Sequence, residues 1–200
     1  NFENVVVKRI LFCSLLKDYD LLNLKGIVLK SQTFIPKCAF YQNSQLHFII
    51  GPKISFVCER AFVDCNKLQR FLSFQLESVE TWAFFNCKSL TEIDLSKVKI
   101  LQNECFCGCG FVEVKIPLIE TLDDSFADCE HLLQIVGDNL IQINYNYEYV
   151  VAPRIQSYKN KIIKFQEVYV DRFVERKRFV KRIMVKRGLT RYIKEMQQVI

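Results

Sequence analysis

Hydrophobic positions along this chain return on a fixed clock. Phe40, Phe62, Phe84, Phe106 and Phe126 stand 22, 22, 22 and 20 residues apart. Around them runs a phrase, Ala-Phe-x-x-Cys-x-x-Leu-x-x-Ile-x-Leu, whose clearest copy occupies residues 83–95. Segments 24–29, 46–51, 68–73, 90–95, 111–116 and 132–137 begin 22, 22, 22, 21 and 21 residues apart. Their first, fourth and sixth residues tend to be apolar, as in Leu90, Ile93 and Leu95. Strand alternation puts the fourth and sixth on one buried face, and the first enters from the preceding turn. Residues 147–152, followed by Pro153, read as a seventh, worn strand, and 138–146 as a loop too short for a full repeat. A unit this short cannot bury an apolar face alone, so the copies must stack into an elongated solenoid.

The ends differ from the middle. Val7, Ile10, Leu11, Leu15 and Leu16 recur at helical spacing and predict a helical amino-terminal cap within 1–21. An irregular extra repeat is the alternative. The repeats then fill 22–158, and 159–200 reads as a basic amphipathic helical extension.

Composition supports a packed, non-fibrous chain: half of the residues are hydrophobic, with 17 Phe against 6 Gly and 4 Pro. No apolar run approaches the roughly 20 residues that cross a bilayer. Charge is split along the chain. Residues 1–153 hold 14 Lys/Arg against 18 Asp/Glu, whereas 154–200 hold 14 against 4. An acidic-leaning body therefore carries a strongly basic tail.

Most of the nine cysteines keep the repeat register. Cys65, Cys87, Cys109 and Cys129 each fall three residues after the phrase's Phe, and Asn43 takes that place in the first copy. Stacked copies would set these thiols about 4.8 Å apart. Reduced thiols acting as small buried hydrophobes fit this pattern, which points to a reducing compartment.

The phrase resembles the BspA-type leucine-rich repeats, whose units carry the same Ala-Phe-x-x-Cys core with an Ile or Val five residues before the Phe. The likeness covers about 22–158 and is best in 61–71, 83–95 and 105–117. Cys105 and Ser125 replace the Ala, and the Pro survives only at Pro52, Pro117 and Pro153. The resemblance implies a leucine-rich-repeat solenoid of the α/β type with a parallel sheet on its concave face. It also implies protein binding, sometimes adhesion, and carries over no catalytic residues or cofactors. Such repeats occur in bacterial surface proteins and in parasitic protists, and the Phe-, Lys- and Asn-rich usage suits an AT-rich protist genome.

If the strands line the concave face, their third and fifth residues point outward. These are Gly26 and Val28, Phe48 and Ile50, Arg70 and Leu72, Glu92 and Asp94, Glu113 and Lys115, Gln134 and Val136. The face grades from apolar at Phe48, Ile50 and Leu72 to charged at Glu92, Asp94 and Glu113. Phe48, Ile50, Arg70, Leu72, Glu92, Asp94, Glu113, Lys115 and Gln134 are the candidate docking residues. The competing reading has the amino-terminal cap covering the apolar half.

Two chemical readings fail on spacing. Cys105, Cys107 and Cys109 do not form the two-residue-spaced pairs that zinc uses, and His47 lies several repeats from His131. Cys129 and His131 lack a third group that would orient a base. No catalytic, metal-binding or cofactor-binding residue is expected.

In the tail, Phe165, Val168, Tyr169, Phe173, Phe179, Val180 and Ile183 form a helical stripe. Arg172, Arg176, Lys177, Arg178, Lys181, Arg182, Lys186, Arg187 and Arg191 supply its positive charge. Four uses compete: a carboxy-terminal cap, a grip on an acidic protein surface such as a filament, RNA binding, and a membrane-surface or calmodulin-target helix. The expectation is a non-enzymatic interaction or structural module within a larger intracellular assembly, such as a cytoskeletal one. Its rivals are a cell-surface adhesin and an RNA- or membrane-binding adaptor.

Overall fold

The computed structural model describes residues 5–16, 21, 23–148 and 150–157, all within the unit Asn1–Ile162. The chain enters as an antiparallel hairpin, β1 (Val5–Val7) and β2 (Ile10–Cys13). It then coils, each coil laying down one strand, turning, laying a strand of two residues and turning again. The coils bring β3 (Gly26–Leu29) and β4 (Phe34–Ile35), then β5 (Phe48–Ile50) and β6 (Phe56–Val57). Next come β7 (Arg70–Leu72) and β8 (Ser78–Val79), then β9 (Glu92–Ile93) and β10 (Ile100–Leu101). The last are β11 (Glu113–Lys115) and β12 (Thr121–Leu122), β13 (Gln134–Val136) and β14 (Gln142–Ile143), and finally β15 (Val150–Val151).

Same-register strands pair in parallel. One side of the solenoid carries the order β1–β2–β3–β5–β7–β9 and, separately, β11–β13–β15. A second side carries β4–β6–β8–β10 and, separately, β12–β14. The register advances one repeat per step, with Phe48 opposite Arg70 and Arg70 opposite Glu92.

The Ala-Phe-x-x-Cys turns form a third side with its own hydrogen-bond ladder. Each of the first four turns bends through two left-handed residues, such as Arg60 and Asp64 (φ 55° and 59°) or Trp82 and Asn86 (φ 55° and 58°), and the fifth through Asp128 (φ 53°). Short polar side chains tolerate that conformation, which explains Asp64 and Asn86. So bent, the turn aims its amides at the next coil. Phe40 N–H donates to the Ala61 carbonyl (2.8 Å), Phe62 to Ala83 (2.7 Å), Phe84 to Cys105 (2.8 Å) and Phe106 to Ser125 (2.8 Å).

Inside lies one apolar column. The five repeat phenylalanines stack nearly parallel, with successive centroids 5.0, 4.8, 5.2 and 5.4 Å apart. Phe71 and Phe111 meet the stack edge-on. Offset stacking and T-shaped contact add to plain burial, so the column contributes more than its area.

The ladder cysteines have a polar duty as well. Cys65, Cys87, Cys109 and Cys129 each donate Sγ–H to the Phe carbonyl one coil back, at 2.9, 3.0, 3.1 and 3.2 Å. Each of these carbonyls also accepts an N–H of its own turn, from Asn43, Cys65, Cys87 and Cys109 in order, and the thiol supplies a second donor while still packing as a hydrophobe. Asn43 does the same in the first copy, donating Nδ2–H to the Leu21 carbonyl at 2.7 Å. Burial holds the thiols of Cys87 and Cys109 well above the usual value and pushes that of Cys129 to about 12. Beyond the last such turn among the described residues, Tyr147 Oη accepts from Phe126 N–H (3.0 Å) and donates to the Asp123 carbonyl (2.6 Å).

Several expectations need correction. The helical cap over 5–16 is a β-hairpin, because three consecutive β-branched valines favour strand and β3 offers an edge that β2 completes. The repeats are not of the α/β type: no helix occurs among the described residues, and the return path is a short strand plus a turn. Eight strands, not seven, fall in the concave register among the described residues, since β2 adds one. Residues 138–146 hold β14, which pairs with β12, rather than loop alone. The basic helical extension, 159–200, lies outside the described residues.

Candidate functional site

The concave sheet presents one outward residue column through the third strand positions and another through the fifth. β2 lies in the plane of the sheet, so it lengthens the face instead of covering it. The structure distributes the candidate residues unevenly. Val28 and Ile50 are only 2% exposed and Gln134 only 4%. Phe48 is half-buried, its ring lying where a side chain on Gly26 would be: a Cβ there would sit 2.2 Å from Phe48 Cζ. The absence of a side chain at Gly26 is what lets that ring lie down.

The centre of the face is charged. Arg70 Nε lies 2.9 Å from Glu92 Oε2 across the β7–β9 register, with both side chains under one-fifth exposed. Yet Nε forms no hydrogen bond, so charge and not alignment holds the pair. Lys115 Nζ lies 3.5 Å from Glu113 Oε1 along β11, with the lysine mostly in solvent. Such a pair is weak in water. Asp94 is exposed and accepts the Ser96 N–H at 3.0 Å. Leu72 stays half-buried beside Arg70, and Gln134 Nε2 is buried without a partner opposite Glu113. The accessible candidates are thus Phe48, Leu72, Asp94, Glu113 and Lys115, around the Arg70–Glu92 pair. Arg172, Arg176, Lys177, Arg178, Lys181, Arg182, Lys186, Arg187 and Arg191 lie outside the described residues.

Sequence reasoning missed two features. One is the second sheet, whose outward column runs through Phe34, Phe56, Ser78 and Ile100; the residue five before each Phe signalled it. The other is an open cavity of about 470 Å³ at the carboxy-terminal end, lined by Asp128, Glu130, Tyr145, Tyr147 and Glu148 among others. It lies beside the turn of Phe126 and Cys129, the last among the described residues. No group of three or more His, Cys, Asp or Glu among the described residues is placed to hold a metal. Burial, with Asp128 and Glu104 adding their charge, pushes Cys107 to about 11. Among the described residues no helix is long and apolar enough to cross a membrane.

Parallel coils with a one-repeat register and an inward Phe column define a leucine-rich-repeat solenoid. The chain belongs to the BspA type leucine rich repeat region family, whose model matches residues 19–133 in six copies. It is similar in structure to the T. pallidum leucine rich repeat protein TpLRR, with a TM-score of 0.55 at 20% identity over 79% of this chain and 90% of that one. A leucine-rich repeat protein from Bacteroides ovatus matches with a TM-score of 0.44 at 16% identity over 64% of this chain and 50% of that one. No curated protein matches the chain. Repeats of this kind suggest a protein-binding or adhesion module.

Proposed function

We propose that the protein is a non-enzymatic interaction module within a larger assembly, and that its concave sheet is the docking surface. The observation that carries this reading is the layout of that face. A half-buried apolar patch at Phe48 and Leu72 adjoins the Arg70–Glu92 pair and the more open Asp94, Glu113 and Lys115. Apolar centres edged by charge are how protein interfaces combine affinity with specificity. The partner is a protein surface with an apolar protrusion and a flanking cation for Asp94 and Glu113.

The module works in a reducing compartment of the cell, as part of the cytoplasm or cytoskeleton. What supports this is that the four ladder thiols donate to backbone carbonyls, a duty that oxidation would abolish, and all nine cysteines are free. The charge of 154–200 supports a second contact with an acidic protein surface.

Photo-crosslinking side chains at Asp94 and at Asn66, both exposed, test the docking reading in cells that express the chain. A discrete protein adduct from Asp94, absent from Asn66 on the turn side, is expected. Equal adducts from both positions, or adduct formation with RNA, would overturn it.

A further inference from the structure

We infer that the solenoid bends at a hinge between the coil of β9 and β10 and the coil of β11 and β12. The inference is independent of what the concave face binds.

Coils are fastened by three ladders, and here two of them are missing. On the concave side, Lys25, His47, Gln69 and Thr91 each donate a backbone N–H to the preceding strand, and so does Leu133 to Val112. Val112, at the same place in the register, makes no such bond to Thr91, and β9 and β11 do not pair. The second sheet repeats the defect. Glu77 and Lys99 donate to Ser55 and Glu77, and Ile141 to Glu120, but Glu120 makes no bond to Lys99. Likewise Gln102 donates to Val79 and Asn144 to Leu122, while Asp123 makes none to Leu101. Only the turn side stays closed, where Phe106 and Gly108 donate to Ser125 and Ala127 at 2.8 and 2.9 Å.

The cause is written in the chain. Two residues separate the ladder Cys from the strand's first apolar residue at Cys65, Cys87 and Cys129, but Gly110 alone separates Cys109 from Phe111. The short link pulls the coil inward: a Cβ on Gly110 would lie 2.3 Å from the Lys88 carbonyl oxygen. A second residue is missing between Leu122 and Phe126, so this coil is shortened on both flanks.

A joint closed along one edge and unbonded along the other two turns about the closed edge. The Phe84–Phe106–Phe126 stack lies beside that edge and stays in contact as the joint opens. Arg70, Glu92 and Asp94 stand on one side of it and Glu113 and Lys115 on the other. Bending therefore changes the spacing between the two charged groups of the concave face.

Pulsed electron resonance on the full chain tests the hinge. Ser31, Lys53, Lys97 and Leu118 are exposed at one register position, on the first, second, fourth and fifth coils. Nitroxides at 31 and 97 span three steps inside the first block, and at 53 and 118 three steps across the joint, each about 15 Å at one strand spacing per step. Genetically encoded attachment leaves the nine thiols untouched. The 53/118 distribution is expected to be at least about twice as wide as that of 31/97, the intra-block control. Equal widths would overturn the hinge. Inserting a serine after Gly110 to restore the two-residue link should narrow 53/118; an unchanged breadth in a folded insertion variant would refute the assigned cause.

Discussion

From Gly26 to Leu101 each coil is fastened to the next on three sides, whereas the coil beginning at Phe111 is fastened to its predecessor on one. Both regions obey the same phrase and bury the same kinds of residue. The contrast separates two contributions that are usually fused in a solenoid. Apolar stacking depends on residue type and survives the loss of a residue, since Phe106 and Phe126 still stack at 5.4 Å. Backbone ladders depend on path length and do not survive it.

Substitutions can press on each contribution. Phe84 is stacked on both faces and met edge-on by Phe71, whereas Phe126 is stacked on one face only. Phe84→Ala should therefore cost about 3–5 kcal/mol, the upper range for a core aromatic. Phe126→Ala should cost less, and urea unfolding followed by circular dichroism would rank them. A larger loss at Phe126 would reverse the comparison.

Removing the end cap is the next effect in size. Tyr147→Phe keeps the ring but strands the Phe126 N–H and the Asp123 carbonyl. An unsatisfied buried group costs about 1–3 kcal/mol. Loss of signal from the 111–151 region before the rest of the chain, in residue-resolved unfolding, would locate the effect.

Thiol exchange is gentler. Cys87→Ala removes one of the two donors to the Phe62 carbonyl, which keeps the Cys65 N–H at 3.2 Å, and should cost about 0.5–1.5 kcal/mol, whereas Cys87→Ser keeps both donors and should recover part of that. If serine were as costly as alanine in thermal melts, the thiol would be packing alone.

At neutral pH the last effect vanishes, and it grows with alkalinity. An unfolded thiol titrates at about 8.5, whereas burial holds Cys107 at about 11 and Cys129 at about 12. A raised folded value favours the protonated, folded form. The stabilisation from these thiols is thus complete below the unfolded value and is lost as pH climbs toward 11 and 12. Tm should fall steadily above about pH 8.5 and stay flat just below it on account of these groups.

Much of the fold was legible because the repeat writes itself in side chains. The Phe column, the ladder cysteines and the strand segments follow from spacing alone, and the face residues from alternation. Three things were not legible. The hairpin of β1 and β2 has apolar spacing compatible with a helix; the three consecutive valines lean toward strand, and the free edge of β3, which the sequence does not show, completes the case. The burial of Ile50 and Gln134 depends on neighbours that alternation ignores. The broken ladders follow from missing residues at Gly110 and before Phe126, visible in the sequence as irregular spacing but without geometric meaning until the coils are stacked.

Amide hydrogen exchange at single-residue resolution reads the two kinds of fastening side by side. Val112, Glu120 and Asp123 should exchange at least about tenfold faster than Thr91, Lys99 and Gln102, which hold the same register positions one coil earlier, while Phe106 and Gly108 remain slow. Protection of Val112, Glu120 and Asp123 equal to that of their counterparts would contradict a solenoid fastened on a single side at this joint.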